Sequence, residues 1–169
     1  MSQLAKFILC TLVFFTTKAY ATVDYSGILP YIQEETKTPF IAFDNKVGDC
    51  METSRYNTNF PINKWLSLLS KEKQQIILFY ISNKAFYNCY QPEHKQLIDQ
   101  INNNNDEFMI NFLRSADHIN EPIAPKLTND EIENVELLLL QHPNPFATFK
   151  AYEAMKIKYN VIDPDEPKK

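Results

Sequence analysis

Residues 71–90 read Lys71-Glu72-Lys73-Gln74-Gln75-Ile76-Ile77-Leu78-Phe79-Tyr80-Ile81-Ser82-Asn83-Lys84-Ala85-Phe86-Tyr87-Asn88-Cys89-Tyr90. The apolar run from Ile76 to Ile81 has no period of its own and suits a buried strand as well as a buried helix. Its flanks decide. Lys, Glu and Gln before it are good helix formers, and Ala85, Phe86 and Tyr87 carry the pattern on after it. The stretch predicts a central, well-buried helix from about Lys71 to Cys89, with Ser70 as its N-cap.

Working outward, Asn63 caps a short helix through Leu69 that carries Trp65, Leu66 and Leu68. Downstream, Pro92 suits the first turn of a separate helix, where a missing N–H costs nothing. That helix has Leu97, Ile98 and Ile101 as its apolar side and ends at Asn102–Asn105, read as a turn and a cap. A helix from Asp106 to Asp117 follows, with Phe108, Met109, Phe112 and Leu113 at helical spacing. Pro122 and Pro125 make residues 118–127 an extended connector. Thr128-x-x-Glu131 is a capping-box pattern ahead of Ile132, Val135, Leu138 and Leu139. Asp130, Glu131, Glu133 and Glu136 in the first turns of that helix balance its dipole; an acidic docking face is the other reading. Pro143 ends the helix. Asn144-Pro145 opens the last one, whose apolar side is Phe149, Tyr152, Met155 and Tyr159.

Residues 22–61 show weak periodicity, with Gly27, Pro30, Pro39 and Gly48 among many polar residues. Residues 28–33 suit one helical turn, and Phe40-Ile41-Ala42-Phe43 suits an isolated strand or a plug over the core. The expected fold class is therefore all-α: an irregular bundle of five or six helices with an irregular N-terminal wrap. No repeat at a fixed period is present.

The first 21 residues read as an address. Lys6 supplies positive charge, Phe7 to Phe15 is a short apolar run, and Ala19-Tyr20-Ala21 is a small-x-small cleavage site. The run is shorter than the roughly 20 residues of a membrane-spanning helix. Cys10 lies inside it, after the large Ile8 and Leu9, which does not suit a lipidation site. The expected organisation is a signal peptide at 1–21, one helical domain at 22–160 and a flexible charged tail at 161–169. The expected place is the periplasm or the secreted fraction. No Asn-x-Ser/Thr acceptor occurs among the asparagines, which favours a bacterial source.

The 169-residue chain carries a net charge of -4. Nucleic-acid binders carry basic stripes, and none is present. With 2 glycines against 10 prolines, phosphate-cradling loops of the P-loop or dinucleotide-binding kind have no material. After cleavage Cys50 and Cys89 remain, an even count that reads as one disulfide in an oxidising compartment. Two cysteines alone do not make a structural zinc site, and no cofactor is expected.

His94, His118 and His142 have no metal-binding or triad spacing, and no nucleophile elbow is present. Glu34, Glu35, Glu93 and Glu107 are available for carboxylate chemistry, but nothing sets them apart from solvated charges. The aromatics around Cys89 are more suggestive. They suit a core, and where a face meets a partner, Tyr87, Tyr90 and His94 beside the disulfide are the candidates. The function class this points to is protein binding by an exported accessory subunit, adaptor or inhibitor. The alternative is a small hydrolase of envelope polymers, with carboxylates or a histidine assembled by folding.

Overall fold

A computed structural model describes residues 25–115 and 121–161. The signal peptide, Cys10, His118 and nearly all of the tail lie outside the described residues. Among those described there are six α-helices, one 3-10 turn and no strand. The order is a 3-10 turn at Leu29–Tyr31, α1 Glu34–Tyr56, α2 Lys64–Ser67, α3 Lys71–Asn104, α4 Glu107–Ser115, α5 Asn129–Gln141 and α6 Thr148–Tyr159.

Two expectations are corrected by helices that run through prolines. The N-terminal segment is not an irregular wrap: residues 34–56 are one helix with Pro39 inside it. Its buried positions are Thr36, Phe40, Phe43 and Cys50, with Val47 packed on the same core. That is the three-four spacing of one helix face, so Phe40 and Phe43 belong to that face and not to a strand. Likewise Pro92 does not start a new helix but lies inside the 34-residue α3. A proline inside a helix abandons the carbonyl four residues back. Here those carbonyls belong to Glu35 and Asn88, both exposed residues, so the missing bond leaves no carbonyl on a buried residue.

Other boundaries follow local chemistry. Asn63 and Ser70 cap α2 and α3 through their side chains, and Thr128 and Glu131 form the capping box of α5. Residues 102–104 stay helical, and α3 stops at Asn105, which adopts φ 51°. The Asp106 N–H closes back on the Ile101 carbonyl at 3.0 Å, the six-to-one closure of a Schellman end. Asn160 ends α6 in the same way at φ 52°, with Val161 N–H on the Lys156 carbonyl. The last helix begins at Thr148, after a connector whose Phe146 is buried.

At roughly 1.5 Å per residue, α3 is about 50 Å long, and it serves two cores. Its C-terminal half gives Tyr87, Tyr90, Leu97 and Ile101 to a first cluster with Ile32, Phe40 and Phe43, and with Met109 and Leu113 of α4. Its N-terminal half gives Ile77, Leu78 and Ile81 to a second cluster with Leu66, Val135, Leu138, Phe146 and Met155. The Cys50–Cys89 disulfide, with Cα atoms 6.1 Å apart, fastens α1 to α3 within the first cluster. Ser82 donates to the Phe146 carbonyl at 2.8 Å, and Asn57 donates to the Pro145 carbonyl at 2.8 Å. These bonds tie the α5–α6 connector to both long helices.

One buried carboxylate joins two helix starts. Asp106 is 1% exposed. Its Oδ1 accepts the Met109 N–H at 3.1 Å, capping α4, and its Oδ2 accepts the Gln33 N–H at 3.0 Å, at the N-cap of α1. The negative charge thus faces the positive ends of two macrodipoles. Tyr25 holds the strand of chain before α1: its hydroxyl donates to Asp44 at 2.6 Å. Burial, then that hydrogen bond and the Asp44 charge, push the phenol up to about 12.

Asp106→Ala is expected to cost about 3 kcal/mol, and Asp106→Asn about half that, because the amide keeps one acceptor oxygen. Urea titration followed by circular dichroism reads both. The pair Cys50→Ala/Cys89→Ala is expected to lose about 4 kcal/mol on the loop-entropy account, seen as a lower urea midpoint.

Candidate protein-docking face

The face in question begins with the period of α3. Ile76, Phe79, Asn83, Phe86 and Tyr90 stand three and four residues apart, so they form one stripe along the helix. The buried stripe of the second cluster, Ile77, Leu78 and Ile81, faces elsewhere. The expectation of a helix buried on all sides is therefore corrected: Phe79 is 61% exposed and Ile76 39%. The stripe fades into the core toward Tyr90, which is buried.

Two hollows flank the Ile76–Phe79 ridge. One, of about 500 Å³, continues along the stripe past Tyr80, Asn83 and Phe86 to Tyr90. Its far wall is the connector, with Pro122, Pro125 and Ile123, the last 91% exposed. An ion pair between Lys84 and Glu121 holds that wall to α3. The other hollow, of about 460 Å³, lies between the ridge and α6, walled by Phe149 and Tyr152, with Gln75 and Thr148 as its polar lining. Phe149 is 74% exposed. Among the described residues, the lining of both hollows is largely apolar and its one charged side chain, Glu121, is paired with Lys84.

Tyr87, Tyr90 and His94 do come together, but inside the first core, each between 5% and 9% exposed. Tyr90 meets Phe43, Phe86 and Tyr87 edge to face, each at 5.5 Å between ring centroids. The His94 ring lies 5.6 Å from Phe43 and 6.0 Å from Tyr87 and Tyr90. Burial, and then the nearby Tyr87, raise the Tyr90 phenol above its ordinary value. This is the core packing that aromatics of this kind also suit. Tyr87 and His94 also line a small hollow with Gln91, Lys95 and Ile98. The exposed apolar residues that sequence reasoning missed, Ile76 and Phe79, had a visible signal in their spacing with Asn83 and Phe86.

The groups weighed for catalysis are scattered. Glu34 and Glu35 stand in the first turn of α1 and Glu107 in the first turn of α4, where they complement dipoles. Glu93 is half-buried on α3. His142 caps the C-terminus of α5. Among the described residues, no group of three His, Cys, Asp or Glu side chains could hold a metal ion. None of the described helices is long and apolar enough to cross a membrane. Comparison with protein-family models, with curated proteins and with solved structures finds no match.

His142 supplies a test of local electrostatics. Burial lowers its pKa first; the hydrogen bond to the Asn59 backbone opposes this, and the Lys158 charge adds to the lowering. The folded state therefore disfavours the protonated ring more than the unfolded chain does. Its contribution is complete above the ordinary histidine value of 6.5 and is lost as pH falls through that value toward the depressed one. His142→Gln is expected to flatten the acid-side fall in stability across that window, measured by urea midpoints at stepped pH.

Proposed function

We propose that the protein works by binding a protein partner through the α3 face between the connector and α6. The observation that carries this reading is the exposure of Phe79 and Phe149 on the two sides of one groove whose described lining residues carry no charge. Scaling each exposed side chain by roughly 200 Å², the area an aromatic side chain buries, Ile76, Phe79, Ile123 and Phe149 leave on the order of 500 Å² of apolar surface in water. Patches of that size on soluble domains are frequently contact sites. The three-four spacing of the stripe suits a helix as the bound element.

The setting in this reading is the cell envelope or the secreted fraction, reached by a signal peptide cleaved after Ala21. The Lys6, apolar and Ala19-Tyr20-Ala21 pattern supports export, and the Cys50–Cys89 disulfide suits an oxidising compartment. An accessory subunit, adaptor or inhibitor fits such a rigid, disulfide-fastened helical scaffold, because a preformed face loses little entropy on binding.

A photoreactive phenylalanine analogue in place of Phe79, irradiated in the native envelope fraction, tests the reading. A single protein adduct in near-equal amount is expected, lost when Phe149 is changed to Asp. Absence of any adduct above background would overturn the proposal.

A further inference from the structure

We propose that residues 162–167, which continue the chain from Val161, seat as a strap in the hollow at the turn between α2 and α3, with Ile162 as its anchor. The inference stands apart from the docking reading. Four observations carry it.

The first is where the chain leaves α6. Asn160 turns the backbone at φ 52°, and the Val161 N–H closes on the Lys156 carbonyl at 3.1 Å. Val161 packs against the second core. It also lines a hollow of about 590 Å³ whose other wall is the α2–α3 turn. Consecutive Cα atoms stand about 3.8 Å apart, so Ile162 begins at the edge of that hollow.

The second is apolar surface. The lining includes Leu69, Tyr159 and Leu68, the last 75% exposed. The segment reads Ile162-Asp163-Pro164-Asp165-Glu166-Pro167. Its one large aliphatic side chain comes first, next to that lining.

The third is charge. Among the described residues, Lys71 is the one charged side chain lining the hollow. It stands beside Ser70 at the start of α3, the positive end of a 34-residue helix. Glu72, the acid of that first turn, is not part of the lining. Asp163, Asp165 and Glu166 follow the anchor with the complementary sign. Asp163 and Glu166 each precede a proline, which biases them toward extended backbone and reduces the freedom lost on seating.

The fourth is a buried acceptor. Gln74 lines the hollow and is 1% exposed. Its Nε2 donates to the Ser67 and Leu69 carbonyls, whereas its buried Oε1 accepts no hydrogen bond among the described residues. Buried acceptors are ordinarily satisfied, and a backbone N–H of the strap supplies a donor. Tyr152 lines both this hollow and the one beside Phe149, so the strap packs behind the α6 wall of that second hollow.

The test is nuclear magnetic resonance of the purified, oxidised full chain. Cross-peaks from the Ile162 methyls to Leu68 and Leu69 are expected, together with slowed amide exchange over residues 162–166. Ile162→Ser is expected to abolish both. Lys71→Glu is expected to speed that exchange about threefold or more. An acid at this position suits the start of a helix, so α3 itself is not weakened by the change. Lys95→Glu, about 36 Å away along α3, makes the same change in net charge and is expected to leave the exchange unaltered. Absence of the cross-peaks, or protection indifferent to both Ile162→Ser and Lys71→Glu, overturns the proposal. Cross-peaks that arise between labelled and unlabelled chains in a mixed sample also overturn it, because the occupant is then the tail of another copy.

Discussion

Helix α3 carries a double load, and the remaining elements are arranged by it. Over its 34 residues it must face one core with its first half and another with its second. At 100° per residue a helix that turns one stripe toward its partners points another stripe away from them. The second core takes Ile77, Leu78 and Ile81, and the first takes Tyr87, Tyr90 and Leu97. The stripe that neither takes begins at Ile76 and Phe79. Those two apolar side chains therefore stay in contact with water, at 39% and 61% exposure, while Ile77 and Leu78 between them are buried.

Two long-range ties keep the first core in register against α3. The disulfide fixes α1 laterally, and Asp106 fixes it axially through Gln33, across 73 residues of sequence. They differ in kind. A covalent bridge acts mainly on the unfolded chain by limiting its freedom. A buried carboxylate acts on the folded state, where each of its oxygens meets an N–H at the positive end of a helix. In the second core, polar side chains do related work on a smaller scale. Buried Gln74 donates to the Ser67 and Leu69 carbonyls, at 3.2 and 2.8 Å, and so closes the sharp turn from α2 into α3.

Much of this was legible in the sequence, and what was not has specific causes. The caps at Asn63, Ser70 and Thr128 could be read because capping needs only residues close in sequence. The pairing of Cys50 with Cys89 followed from counting. Helix α1 was hidden by Pro39 and Gly48, two residues that ordinarily signal a break. The stripe Thr36, Phe40, Phe43, Val47 and Cys50 outweighs them, through burial that the distant α3 and α4 supply. Pro92 misled in the same way: its local cost is outweighed by the burial of Tyr87, Tyr90, Leu97 and Ile101 on either side of it. At the candidate site, Tyr87, Tyr90 and His94 attracted notice by composition, yet composition does not tell inside from outside. The Ile76–Ile81 run read as wholly buried because apolar residues on every side of a helix normally mean that.

The order of elements along the chain also matters for how the bridge is made. Synthesis delivers α1 well before the residues it packs on, since domains emerge N-terminus first. Until Tyr87 to His94 appear, Phe40 and Phe43 have no core to enter, and until Asp106 appears the Gln33 N–H lacks its acceptor. Cys50 waits through the same interval as a free thiol. No cysteine lies between it and Cys89, so the first later thiol it can meet is the native one. Oxidation therefore needs no reshuffling among later cysteines, and Cys10 is the one competitor, which the removal of a signal peptide would eliminate. A scaffold whose longest-waiting helix has a single possible covalent partner needs an oxidant more than an isomerase.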